Sequence, residues 1–166
     1  TFTNKQEIKT KRSIMSNEIK FEISIPTDED GFILLQCSLC GNLFKISASD
    51  YKADDVYELW CPACGLKSEN YLTEEVLDLA SKMAKNKAQD ILHEHLKQIE
   101  RKTKETFVSF KVTHKPSREY ENPLVPVVDE LEIISYSCCQ RQTKVSPILK
   151  LTGSFCPFCG VNYDEY

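Results

Sequence analysis

Long apolar runs are missing from this 166-residue chain. The longest, Phe32 to Leu35, falls far short of the roughly 18 to 20 residues a membrane helix needs. Residues Thr1 to Ile14 are polar and basic and lack the apolar stretch of a secretory signal. Met15 opens a plausible start, so residues 1–14 read as a disordered tail or leader and stand outside the fold expectation. Glycine is scarce, with five residues, and no glycine-rich phosphate loop occurs. Histidine is scarcer still, with three, and the scattered Ser, Asp and His suggest no catalytic triad.

Positive charge is also short. The net charge is −4, and it is uneven. Residues 15–72 carry ten acids against four bases, residues 73–105 seven of each, and residues 106–166 seven against six. A phosphate-binding surface needs clustered cations, and the first region has the opposite. The one candidate patch lies later in the chain: Lys111, His114, Lys115 and Arg118, with Arg141, Lys144 and Lys150.

What the chain does have is cysteine. Cys37-x2-Cys40 is followed by Cys61-x2-Cys64; Cys138-Cys139 is followed by Cys156-x2-Cys159. Eight cysteines could form four disulfides or bind metal. Disulfides do not explain why each end of the chain keeps its own four, whereas two tetrahedral thiolate sets do. The expectation is therefore two Zn2+ per chain, with iron a chemical alternative at four-cysteine sites. Each filled site would add −2, taking the protein to near −8.

The elements around the cysteines are short and extended. Ile19-x-Phe21-x-Ile23-x-Ile25 alternates as a half-buried strand closed by Pro26, and Asp28-Glu29-Asp30-Gly31 is a turn. Strands are expected at Phe32–Gln36 and Leu43–Ile46, then at Val56–Trp60, Phe107–Thr113 and Leu131–Ser137. Thr73 to about Glu105 has no proline or glycine and is rich in helix formers, so it reads as one long helix capped by Thr73. Leu77, Ala80, Ala84, Ala88, Ile91, Leu92, Leu96 and Ile99 make a narrow apolar stripe on it, interrupted near Lys85-Asn86-Lys87. That stripe could pack on the chain itself or form a homodimer through the helix 73–105. His93-Glu94-His95 does not match a metalloprotease helix, because the second histidine would have to stand at position 97, which is Lys97.

The two cysteine regions look duplicated. Setting Cys40 over Cys139 without gaps puts Lys45 on Lys144, Ile46 on Val145 and Ser47 on Ser146. CPACGL (61–66) matches CPFCGV (156–161), which places Tyr71 on Tyr166. One position departs: Tyr136 stands where Cys37 does. Cys138 must then supply the fourth sulfur of the second site, with His114 the reserve ligand.

CSLCG…CPACG in residues 37–65 and CPFCG in 156–160 resemble zinc-ribbon, rubredoxin-like modules. The resemblance covers roughly residues 32–66 and 131–161. It implies structural zinc and binding to protein or nucleic acid, and it does not choose between them. The fold expected is α+β: two small antiparallel β zinc ribbons (15–72 and 106–166, each with a preceding strand) connected by one long α-helix (73–105). The metal ligands expected are Cys37, Cys40, Cys61 and Cys64, then Cys138, Cys139, Cys156 and Cys159, with no catalytic residue. The function expected is that of a non-catalytic, cytoplasmic adaptor or accessory subunit with a protein partner. Nucleic-acid binding through the second ribbon is the alternative.

Overall fold

The computed structural model describes residues 22–103, 111–113, 115–127 and 129–163. They form two compact units: one from the described residues of 22–76 and 124–163, the other from those of 77–123. Both cysteine regions belong to the first unit.

That unit is built on a four-stranded antiparallel sheet. β1 (Phe32–Gln36) pairs with β2 (Leu43–Ser47), and β3 (Glu132–Ser135) pairs with β4 (Gln142–Val145). The order is β1-β2-β4-β3, because β2 also pairs with β4 through Lys45 opposite Lys144 and Ile46 opposite Thr143. The expectation of two separate ribbons set apart by a helix is corrected here. The helix separates the cysteine regions in sequence, while edge-to-edge pairing joins them in one sheet. A two-stranded hairpin leaves unpaired backbone donors and acceptors along its open edge, and pairing two such edges satisfies both.

The duplication seen in sequence is kept in the register. Phe32 lies opposite Ser47, and Glu132 lies opposite Val145, so both hairpins share one pairing scheme when 99 is added to each number. Lys45 and Lys144 are equivalent residues and also direct partners, which puts a local two-fold axis between them. The short helices α1 (Ala48–Tyr51) and α3 (Pro147–Thr152) follow β2 and β4 at matching positions. The hairpin of β5 (Ser154–Phe155) and β6 (Asn162–Tyr163) matches the single bridge between Trp60 and Lys67.

Period-two alternation gives the sheet one apolar face. Ile33, Leu35, Phe44, Ile46, Ile134, Tyr136 and Val145 form a single buried core with Cys37, Cys61 and Cys156. The opposite face carries the lysine pair. Both lysines are nearly buried, and like charges facing one another across strands repel. Carboxylates offset this. Asp28 accepts from Lys45 at 3.0 Å and from Lys144 at 2.9 Å; Asp30 lies 2.5 Å from Lys144, and Asp129 lies 2.6 Å from Lys45. Asp30 and Asp129 are themselves equivalent, so each half supplies an aspartate to the other half's lysine.

A second reciprocal contact joins the two cysteine knuckles. The Trp60 N–H donates to the Pro157 carbonyl and the Phe155 N–H to the Pro62 carbonyl, each at 2.9 Å. The Trp60 ring lies over Gly160 and the Phe155 ring over Gly65, so close that a Cβ on either glycine would stand about 2.8 to 2.9 Å from ring atoms. Glycine is what lets these backbones approach.

The long helix runs from Glu74 to Thr103 (α2), within the expected span; residues 104 and 105 lie outside the described residues. In the second unit residues 111–113 and 115–123 return along it. The Val112 N–H donates to Glu100, Arg118 makes two bonds to Asp90, and Asn86 exchanges bonds with the backbone of Glu119 while donating also to Glu121. Asn86 is buried, and it holds this segment the way a neighbouring strand would. The covered face therefore runs through Asn86, and the expected stripe is turned away from it. Of that stripe Ala80, Ile91 and Leu96 are half-buried, while Leu77, Ala84, Ala88, Leu92 and Ile99 are exposed.

Several expected strands differ. Ile19–Phe21 and residues 107–110 lie outside the described residues; Glu22–Ile25 and Lys111–Thr113 are not in a strand, and the first pairing is a bridge from Thr27 to Ile33. Val56–Leu59 is irregular. No described helix is long and apolar enough to cross a membrane.

Candidate metal centres

Each first cysteine pair sits in the turn at the end of a strand. After β1 the Cys37 N–H donates to the Asn42 carbonyl and the Gly41 N–H to the Cys37 carbonyl. Gly41 takes the left-handed conformation the turn needs (φ 74°). After β3 the same two bonds recur from Tyr136 to Arg141 and from Gln140 to Tyr136, with Gln140 left-handed at φ 58°. The second pairs follow a shared pattern too. Cys61 bonds Leu66 and is closed by Gly65, as Cys156 bonds Val161 and is closed by Gly160.

These turns bring the sulfurs together. Cys37, Cys40, Cys61 and Cys64 form one group and Cys138, Cys139, Cys156 and Cys159 another, with all Sγ atoms of a group within 4.8 Å of one another. Cys37–Cys64 is 4.0 Å, Cys40–Cys61 3.5 Å, Cys138–Cys139 4.0 Å and Cys139–Cys156 3.6 Å. Four thiolates at 2.3 Å around a tetrahedral ion stand about 3.8 Å apart, so both groups fit such an ion. None of the eight cysteines is in a disulfide.

Electrostatics point the same way. Burial pushes the Cys61 and Cys156 thiols well above their ordinary range, and neighbouring sulfurs add to it. Burial, with Cys138 and Cys139 beside it, pushes Cys159 up to about 11. Cys37 goes the other way: burial opposes ionisation, but the backbone N–H groups of Cys40 and Leu39 outweigh it and lower its value. Sulfurs this close cannot all carry charge without a cation among them.

The two centres differ where the repeat departs. Tyr136, in place of a cysteine, is fully buried, with its hydroxyl 3.0 Å from Ser154 Oγ. The turn at Ser137–Cys139 carries the missing sulfur two residues onward, at the surface. The first centre has two buried thiols, Cys37 and Cys61; the second has one, Cys156.

His114, the reserve ligand, lies outside the described residues. His93 and His95 stand on α2 and join no metal-binding group among the described residues. The candidate cationic patch is largely spent on carboxylates. Arg118 pairs with Asp90, Arg141 with Asp50 and Asp55, Lys144 with Asp28 and Asp30, and Lys150 with Glu132. Sequence reasoning missed the Trp60–Gly160 and Phe155–Gly65 contacts, and it missed the aspartates that receive the lysines. The alignment held a signal for the first: both knuckles read aromatic-Cys-Pro-x-Cys-Gly.

No family model matches the chain, and neither the curated proteins nor the solved structures contain a significant match.

Proposed function

We propose that this chain is a non-catalytic zinc protein with two zinc-ribbon-like centres, acting as an adaptor or accessory subunit. The observation that carries the reading is the gathering of all eight thiols into two closed groups of four. Cys37, Cys40, Cys61 and Cys64 would hold one ion and Cys138, Cys139, Cys156 and Cys159 the other. An ion held by four thiolates has no open position for water or substrate, so its contribution is to folding. The neutralised cations and the acidic first region favour a protein partner over a phosphate backbone.

Elemental analysis of protein prepared without added metal tests the centres: about two zinc equivalents per chain are expected from two four-thiolate sites. Four disulfides and no metal would overturn the reading. A fluorescence-anisotropy titration against random DNA and RNA pools tests the partner class. Binding no tighter than about 10⁻⁶ M near physiological salt is expected. Tight, salt-sensitive binding lost in a Lys115→Glu, Arg118→Glu double variant would point to nucleic acid instead.

A further inference from the structure

The face of α2 turned away from Asn86 is exposed along its length and has a particular order. Reading up the helix it consists of Glu74, Leu77, Ser81, Ala84, Ala88, Leu92, His95, Ile99 and Lys102, spaced by three or four residues, and every one of them is exposed. At 100° per residue they fall within about 40° of a line through Ala88. The set spans roughly 42 Å of helix.

The order is complementary to its own reverse. Turning a second copy end over end about Ala88 sets Ala88 against Ala88, Ala84 against Leu92, Leu77 against Ile99 and Glu74 against Lys102. Residues at one level lie on opposite sides of the central line, and the two-fold axis keeps each on its own side, so they pack side by side across the seam. Small therefore meets large next to the axis, at Ala84 with Leu92 and at the polar pair Ser81 with His95, large meets large beyond it, and opposite charges meet at both ends. The same antiparallel arrangement sets each helix's acidic first turn beside the other's basic last turn (Arg101 and Lys102) and opposes the two macrodipoles.

We infer that α2 pairs with a second copy of this chain, antiparallel, with the two-fold axis at Ala88. Self-complementarity about one point is what a two-fold interface requires and what a surface for an unrelated partner has no reason to show. Alanine at the axis lets the helices approach at the short end of the usual 8–10 Å range. The apolar side chains on offer, Leu77 at 45%, Leu92 at 60% and Ile99 at 47% exposure, then lose their contact with water. The inference does not depend on metal: the face contains no cysteine, and a metal-free result in the elemental analysis would leave it standing.

Sedimentation velocity on the full chain across a concentration series reads the mass, and circular dichroism confirms that each variant keeps its helix. The wild type is expected as a dimer that dissociates on dilution. Ala88→Arg places two cations at the axis and should yield monomer. Lys102→Glu sets carboxylates against Glu74 of the other copy, twice per dimer, and should weaken association about tenfold. Adding Glu74→Lys to Lys102→Glu restores opposite charges and should recover it. A parallel pair would show neither the loss nor the rescue, since position 102 would then face itself. A monomer at every concentration, or a dimer indifferent to the charge swap, overturns the inference.

Discussion

The two cysteine centres share a backbone and differ in one ligand, and the comparison separates what the frame does from what the sulfurs do. Turn hydrogen bonds, strand register and left-handed closing residues coincide when 99 is added for the first pair, and the turn bonds of the second pair coincide when 95 is added. The frame is evidently specified by the strands and turns, since it survives replacement of a cysteine by Tyr136. The sulfur at that corner is not tied to the frame: it moves two residues to Cys138 and joins the same group. The exchange gives the second half a large buried aromatic, at the cost of exposing one thiol.

The largest predicted effects follow from the shared sheet. Cys61→Ser and Cys156→Ser each remove a buried sulfur, and a zinc ion at each centre would supply free energy on the order of the 10 to 16 kcal/mol measured for small zinc modules. Because β2 and β4 pair, either substitution should lower protection in both halves of the sheet rather than in one, while the intact centre keeps its ion. Hydrogen exchange resolved by peptide checks this. Protection retained in the second half of the Cys61→Ser variant would show the halves to be independent.

Next come the reciprocal glycines. A Cβ at Gly160 meets the Trp60 ring and one at Gly65 meets the Phe155 ring, both at positive φ, so Gly160→Ala and Gly65→Ala should each cost about 3 kcal/mol. Near-equal losses in denaturant titrations would support the two-fold relation. A loss at only one would show that the contacts are not equivalent.

Asp28 tests the lysine axis. Burial works against its ionisation, but Lys144, the Phe32 N–H and Lys45 together hold its carboxyl below the ordinary value. A group lowered on folding stabilises above its unfolded pKa, and that contribution fades as pH falls through the folded value. Asp28→Asn should therefore cost about 2 kcal/mol near neutral pH, and the deficit should close below about pH 3.8. Paired urea titrations at neutral and acid pH measure the difference. A deficit that does not change with pH would assign the effect to packing.

The smallest effects lie at Gly41 and Gln140, equivalent left-handed positions with different residues. Gln140→Gly should stabilise by up to about 1 kcal/mol and Gly41→Ala should destabilise by a similar amount, since nothing crowds a Cβ at Gly41. Thermal melts of the two variants should move in opposite directions.

Much of this was legible in the residues. Cysteine spacing identified both groups of four, because close pairs in turns leave sulfurs few places to go. The uninterrupted helix-forming composition marked α2 across its described span, Glu74 to Thr103. The gapless repeat from Cys40 to Ser47 anticipated the matched hairpins. What was not legible was how the halves meet. A local pattern says that β2 and β4 are extended, but edge pairing depends on which edges the rest of the chain leaves open. Lys144 stood in the candidate cationic patch and Lys45 only as its match in the repeat, because no local signal joins them to Asp28, Asp30 and Asp129, which lie up to 116 residues away. The helix stripe was seen but assigned as a whole, since Asn86, a polar residue, turned out to centre the covered face.

The most direct test of two structural four-thiolate centres with unequal protection is native mass spectrometry of the full chain during titration with a zinc chelator. The account predicts a starting mass with two zinc ions and no disulfide. One ion should leave before the other, and the Cys138→Ser variant should begin with one. A chain that carries no metal and is lighter by four disulfides would contradict the account. So would one that keeps both ions after Cys138→Ser.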